Sequence, residues 1–285
     1  MRGIIATAAQ INIQSNGFSI DTRNGGLSEN DVKYFLLYWD KIIIPANNFI
    51  YVGVPFEKDL VESNIIERPI VSFQGSFNGS ELGKAILYGE SKIVEEKIQD
   101  KEVDWTIHQF NNQIVLPDDK IVKKRIFKFE LMNILPVPND DVPIYDIIEF
   151  KERRKDEFLS LHDTLDELYF EILKSPDPDL MQLKAIKNLQ ETINNIERVQ
   201  KEKFKSFTKY DLSIEMNING KDILKGIAYV DLINWYSGIH VPIVTILGTI
   251  ASLFKISIKK ANTFSPLDNK LNLAYLSKAH TEKII

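Results

Sequence analysis

Over the first 140 residues the apolar positions come in short runs whose period keeps switching. Gly3 to Ile13 reads as a strand and IDTRNGG, residues 20–26, as a loop. Ser28 and Asp31 have the spacing of a capping box, with aspartate where glutamate is usual, and predict a short helix through VKYFLLYW. KIIIP, residues 41–45, stacks three isoleucines before Pro45, the pattern of a buried strand. EKDLVESN predicts another short helix and PIVSFQGSF, residues 69–77, another strand. A helix over 81–99 carries Leu82, Ile86, Ile93 and Ile98. VDWTIHQF, NQIVLP and RIFKFELMNILPVP predict further strands. Helix and strand mixed at such short spacing point to a compact α/β or α+β domain over 1–140.

The pattern changes at PVPNDDVP, residues 136–143. Pro143 suits a first helical turn, where its missing N–H costs nothing. From there Ile147, Phe150, Phe158, Leu161, Leu165, Leu168 and Ile172 follow mostly at spacings of three and four, with one gap of eight across Arg154. One helix over 143–174 would be about 48 Å long. SPDPD, residues 175–179, breaks it, and Leu180, Leu183, Ile186, Leu189, Ile193, Ile196 and Val199 repeat the stripe. The expectation is a long antiparallel helical hairpin over 141–208, with an exposed coiled-coil arm as the competing picture. Residues 209–285 form a third, C-terminal α/β region: a strand at DLSIEMNI, a turn at Asn219 and Gly220, a helix at KDILKGIAYVDLINWY, a possible strand at KISIKK and a closing helix at NLAYLSKAHTEKII.

The run GIHVPIVTILGTIASLFKISI, residues 238–258, is the least polar part of the chain. Its uncharged core, 239–254, would reach about 24 Å as a helix, against a hydrocarbon thickness of roughly 30 Å. A stable membrane span is therefore not expected. A buried core helix is, with conditional membrane insertion as the alternative.

Composition narrows the chemistry. Thirty-five basic and 40 acidic residues leave a net charge of −5, which argues against a general nucleic-acid coat. Cysteine is absent, which removes disulfides, iron–sulfur clusters, thiolate zinc and cysteine nucleophiles. MRGIIATAAQINIQ lacks the layout of a secretory signal, so the expected location is cytoplasmic.

Recognisable catalytic motifs are missing: no GxSxG, no phosphate loop and no GxGxxG occurs, and Gly75, Gly79 and Gly83 match no phosphate cradle. His162 and Asp166 share a helix face, but an isolated pair of this kind is more often a plain contact than a metal site, and no metal is expected. Asp140 and Asp141 followed by Glu149 and Lys151 superficially match the PD-(D/E)xK nuclease order, in which an acidic pair binds a divalent ion. These four are the catalytic candidates. Against them, the eight charges of EFKERRKDEF split evenly in sign with Glu149, Arg153 and Glu157 four apart, as on a self-paired helix surface. Lys123, Lys124 and Arg125, within the basic cluster Lys120 to Lys128, are binding candidates. A second cluster, Lys201 to Lys209, interleaves with Phe204, Phe207 and Tyr210. A helix C-terminus favouring cations is the plainer account of that second cluster. Trp39 and Asp40 complete the binding candidates, as pocket-lining groups or as a simple turn cap.

Several segments taken in order, YFLLYWDKIIIPANN, IIERPIVSFQGSF, DVPIYDIIEFKERRKDEF, GIHVPIVTILG and LAYLSKAH, resemble a bacterial family catalogued only as a domain of unknown function. The resemblance covers nearly the whole chain and transfers no catalytic residue. It implies a bacterial protein, with a phage-defence or stress module as the contextual setting. The resulting expectation is a non-enzymatic interaction component with protein partners or a homo-oligomer, nucleic acid being the lesser alternative, and with no cofactor. A metal-dependent nuclease or hydrolase and a membrane-acting effector through 239–254 are the alternatives. A pocket holding a strongly perturbed titrating group would count against the first.

Overall fold

The computed structural model describes residues 1–14, 17–75, 79–108, 115–117, 134–200, 243–245 and 272–285. The chain is mixed α+β and divides into two compact units. Of the described residues, the first unit takes those within 1–35, 39–117 and 243–245, and the second takes 36–38, 134–200 and 272–285.

The first unit is built on a four-stranded parallel sheet. Its strands are β1 (Arg2–Ala6), β4 (Lys41–Ile43), β6 (Ile66–Glu67) and β8 (Asp104–His108), in the order β6-β4-β1-β8. Between β1 and β4 the chain makes an antiparallel hairpin, β2 (Ala9–Gln14) and β3 (Gly17–Gly26), and then helix α1 (Glu29–Tyr38). Helix α2 (Glu57–Glu62) leads to β6, and helix α3 (Gly79–Ile98) carries the chain back past β1 to β8. Beyond Pro45 and Pro69 the sheet resumes as a short parallel pair, β5 (Ala46–Asn47) and β7 (Ile70–Val71). Strand β9 (Val115–Pro117) pairs antiparallel with β10 (Ile243–Thr245).

Alternation sorts the sheet's side chains. Ile5, Ile43, Trp105 and Ile107 join Ile93 and Val94 of α3 in one buried cluster. Ile4, Ile42, Thr106 and His108 point to the other face, where Phe35 of α1 sets its ring edge-on to His108 at 5.3 Å. Helices therefore cover both faces, as a buried parallel sheet requires. The capping box at α1 is formed: the Asp31 N–H donates to Ser28 Oγ at 3.1 Å and the Ser28 N–H to Asp31 Oδ2 at 2.9 Å. Ser28→Ala is expected to cost about 1 kcal/mol, read from urea unfolding, while Ser28→Thr costs less.

In the second unit, α4 (Ile144–Arg153) and α5 (Lys155–Lys174) are followed, across Ser175 to Asp177, by α6 (Pro178–Gln200), which contacts α5; α7 (Ala274–Thr281) touches both α5 and α6. The core gathers Phe150, Phe158, His162 and Tyr275 around Tyr38, with Phe158 4.6 Å from the His162 ring and 5.6 Å from Tyr275. The last carbonyls of α1 find partners here. Tyr275 Oη donates to Leu37 O at 2.9 Å, and His162 Nε2 lies 2.9 Å from Tyr38 O. Tyr38 Oη in turn donates to Pro136 O at 2.8 Å.

Several local expectations are corrected. Gly3 to Ile13 is two strands rather than one, and 20–26 is strand rather than loop, because pairing with 9–14 overrides the weak propensity of NGG. Among the described residues, the strand expected over 69–77 is formed only at Ile70–Val71. Residues 134–138 are not strand, and the rest of that segment lies outside the described residues. The single helix over 143–174 is broken at Arg154, whose φ of −112° and ψ of 33° leave helical geometry. Both neighbouring guanidinium groups turn there to one acid: Arg154 Nη2 donates to Glu282 Oε1 at 2.7 Å, and Arg153 Nη2 lies 2.9 Å from Glu282 Oε2. Of the helix expected over 239–254, Ile243–Thr245 is strand, in keeping with three β-branched residues after a proline; the remainder lies outside the described residues. So do the expected strands at 211–218 and 255–260 and the helix at 221–236.

Candidate functional site

The topology singles out one place. From β1 the chain moves to β4 and β6 on one side and then returns to β8 on the other, so the strand order reverses between β1 and β8. In open α/β sheets, ligands bind outside the carboxyl ends of the strands at such a reversal. A cavity of about 10 Å³, the space one water molecule needs, lies there. Its lining is Ile5, Ala6 and Thr7 from the end of β1, Ile107 and His108 from the end of β8, Pro45 beyond β4, and Glu90 and Val94 from α3.

Glu90 is the unusual member. It is 7% exposed on the same helix stripe as Ile93 and Val94, and its Oε2 has no hydrogen-bonding partner among the described residues. Burial pushes its carboxyl up to about 8. At neutral pH Glu90 is therefore held mainly as a neutral acid, with one O–H to donate and one oxygen to accept. Thr7 Oγ1 is likewise buried without a partner among the described residues, while the Thr7 N–H donates to His108 O at 3.3 Å. His108 is 1% exposed. Among the described residues the lining has no lysine or arginine.

One residue before Glu90, α3 is approached closely by the segment that follows β7. A Cβ on Gly89 would stand 3.2 Å from Val71 Cβ and 3.3 Å from Phe73 Cζ, so glycine lets the segment after β7 lie against α3 one residue before Glu90. Phe73 stacks on Phe49 at 5.5 Å, and Asn48 clips the two loops together: its Nδ2 donates to Phe73 O and its Oδ1 accepts the Phe73 N–H, each at 2.9 Å. Arg68 ties down the residues that follow Phe49 by donating from Nη2 to Val52 O at 2.9 Å.

The residues singled out by sequence sit elsewhere. Trp39 is buried, its ring 5.8 Å from those of Tyr34 and Phe35. Asp40 Oδ2 accepts the Arg2 N–H at 2.9 Å, a bond to the start of β1 rather than a cap of its own turn, and Arg2 pairs through its side chain with Asp104. Asp140 and Asp141 are exposed. Glu149 is exposed on α4 with Arg153 Nε 3.4 Å away, and Lys151 is buried with its ammonium 5.9 Å from the Phe158 ring centre. No group of three or more acidic or histidine side chains among the described residues could hold a metal ion. Lys123, Lys124, Arg125 and the cluster from Lys201 to Lys209 lie outside the described residues. No helix among the described residues is long and apolar enough to cross a membrane. Glu90 and Thr7 escaped the sequence reading. The signal available was a carboxylate at the helical spacing of Ile86, Ile93 and Val94, an acid inside an apolar stripe.

Comparison with known proteins gives a match to the model of a family of unknown function over residues 19–282. No curated protein and no solved structure matches the chain.

Proposed function

We propose, since the chain belongs to DUF6236, a family of unknown function, that it is a small-ligand-binding α/β protein whose working group is the Glu90 carboxyl. The observation that carries the reading is a buried carboxyl with an unpartnered oxygen, lining a cavity at the strand-order reversal. Burying a polar oxygen without a partner costs about 1–3 kcal/mol, a cost offset when a ligand or water completes the bond. A neutral acid lining the same cavity as a hydroxyl without a partner among the described residues can also give a proton to a bound molecule, so the site has acid–base capacity.

The test is a thermal-shift and NMR screen of small polar compounds on wild type, Glu90→Gln and Thr7→Val. Ligands that stabilise wild type are expected to lose about tenfold in affinity in Glu90→Gln, the loss of a hydrogen bond to a buried group. Hits indifferent to both substitutions, or no hit at all, would end the proposal.

A second reading keeps the interaction component, working through the helices. Leu159 and Phe170 on α5 are 44% and 54% exposed, and eleven residues bring them to within about 20° on the helix surface. In this reading α5 and α6 form the antiparallel hairpin that the stripes predict, supported by their contact across a short linker. It expects self-association that Leu159→Glu with Phe170→Glu abolishes. Light scattering that finds a monomer at every concentration counts against it. The bacterial and phage-defence setting stays a proposal for the neighbouring genes to decide.

A further inference from the structure

Resting on the reading that the Glu90 cavity is a ligand site, we propose that the group it accepts is a primary ammonium, carried on a short aliphatic ligand. Size is the first argument: the cavity fits one water-sized group, and an –NH₃⁺ is of that size. Charge is the second. Among the described residues the lining offers an acid and no lysine or arginine, so an anionic group would meet no counter-charge from them and an ammonium would meet a carboxylate. The third is the pattern of hydrogen bonding. An ammonium has three donors and no acceptor, and Glu90 Oε2 and Thr7 Oγ1 are buried oxygens with no partner among the described residues. Ile5, Ala6, Pro45, Val94 and Ile107 make the rest of that one-water space apolar, so the ammonium alone enters it, pairing falls to Glu90 and Thr7, and the ligand's methylenes stay at the cavity mouth.

The protonation balance follows. At pH 7 the site holds a neutral carboxyl, and an alkylammonium entering it displaces that proton to solvent, leaving an ammonium–carboxylate pair. Binding therefore releases close to one proton at pH 7. Apparent affinity rises about tenfold between pH 7 and 9, as the carboxyl ionises and the amine stays charged. Besides Glu90 from α3, the titratable residue at the cavity is His108 from β8, whose ring turns to Phe35 on the other face of the sheet; among the described residues the contributions of β1 and of Pro45 carry none.

The experiment titrates methyl- to butylammonium chloride, the matching alcohols, and acetate to butyrate into the full chain. Binding is followed by ¹³C methyl NMR of Ile5, Val94 and Ile107, with proton release measured by calorimetry in two buffers. Alkylammonium ions are expected to saturate these methyl shifts with release near one proton. Glu90→Gln should remove both effects, and Thr7→Val should weaken binding while keeping the proton release. Saturation by alcohols or carboxylates but not by ammonium would overturn the ammonium assignment and leave the ligand site standing. Methyl shifts that no probe moves would overturn both, and mark the cavity as the seat of a resident water only.

Discussion

Wild-type protein is expected to lose stability on going from pH 5 to pH 8, relative to Glu90→Gln, by about 1.4 kcal/mol per pH unit. The sign follows from the direction of the shift. In the unfolded chain the carboxyl titrates near its ordinary value of 4.5, and in the folded protein burial raises it to about 8. Between these two values the folded state holds a proton that the unfolded state has given up, so raising the pH favours unfolding. The contribution is whole below about pH 4.5, drains across the window and is spent above about pH 8. Its full size is on the order of 5 kcal/mol, a large share of the 5–15 kcal/mol that holds a typical domain together. Glutamine keeps the shape and cannot ionise, so its urea midpoint should be flat over the same range except for the background common to both proteins. Parallel pH profiles for the two proteins would show that Glu90 is not the buried acid described above.

Gly3→Ala is expected to destabilise the first unit by about 3 kcal/mol, the upper end of the cost of overfilling a packed core. Gly3 sits mid-strand in β1, paired with Lys41 on one side and Trp105 on the other. A Cβ there would overlap Cε3 and Cζ3 of the Trp105 indole and lie 2.8 Å from Val103 Cγ1. Neither neighbour is a flexible chain end: Trp105 is 2% exposed and Val103 3%. Melting should fall by about 5–10 °C for a chain of this size. Trp105→Leu removes the two clashing atoms, so the double variant should be more stable than the sum of the single effects by more than about 1 kcal/mol. Strict additivity would mean that the indole is not what Gly3 accommodates.

What was legible in the sequence was whatever is written locally. The three isoleucines of 42–44, the Ser28 and Asp31 box, the stripes of α5 and α6 and the closing helix all carry their instructions within a turn or two of chain. What stayed hidden depends on partners far away. The break at Arg154 is anchored by Glu282, 128 residues on. The strand at 20–26 owes its pairing to 9–14 and not to its own glycines. Glu90 reads as a surface charge until β1, β8 and α3 are brought together and close around it. The acids that drew attention, Asp140, Asp141 and Glu149, did so by their order in the chain, which says nothing about burial.

The central position of β1 bears on how the protein is made. Strand β1 leaves the ribosome before both of its neighbours, β4 and β8, and β8 is completed about a hundred residues later. At 5–20 residues per second, one edge of the nascent strand waits roughly 5–20 s for its neighbour. Throughout that interval an isoleucine-bearing strand presents bare backbone donors and acceptors to whatever is nearby. Yield during synthesis should therefore depend on holdase chaperones acting within that time, and slowing translation between codons 44 and 104 should send more of the product into inclusion bodies.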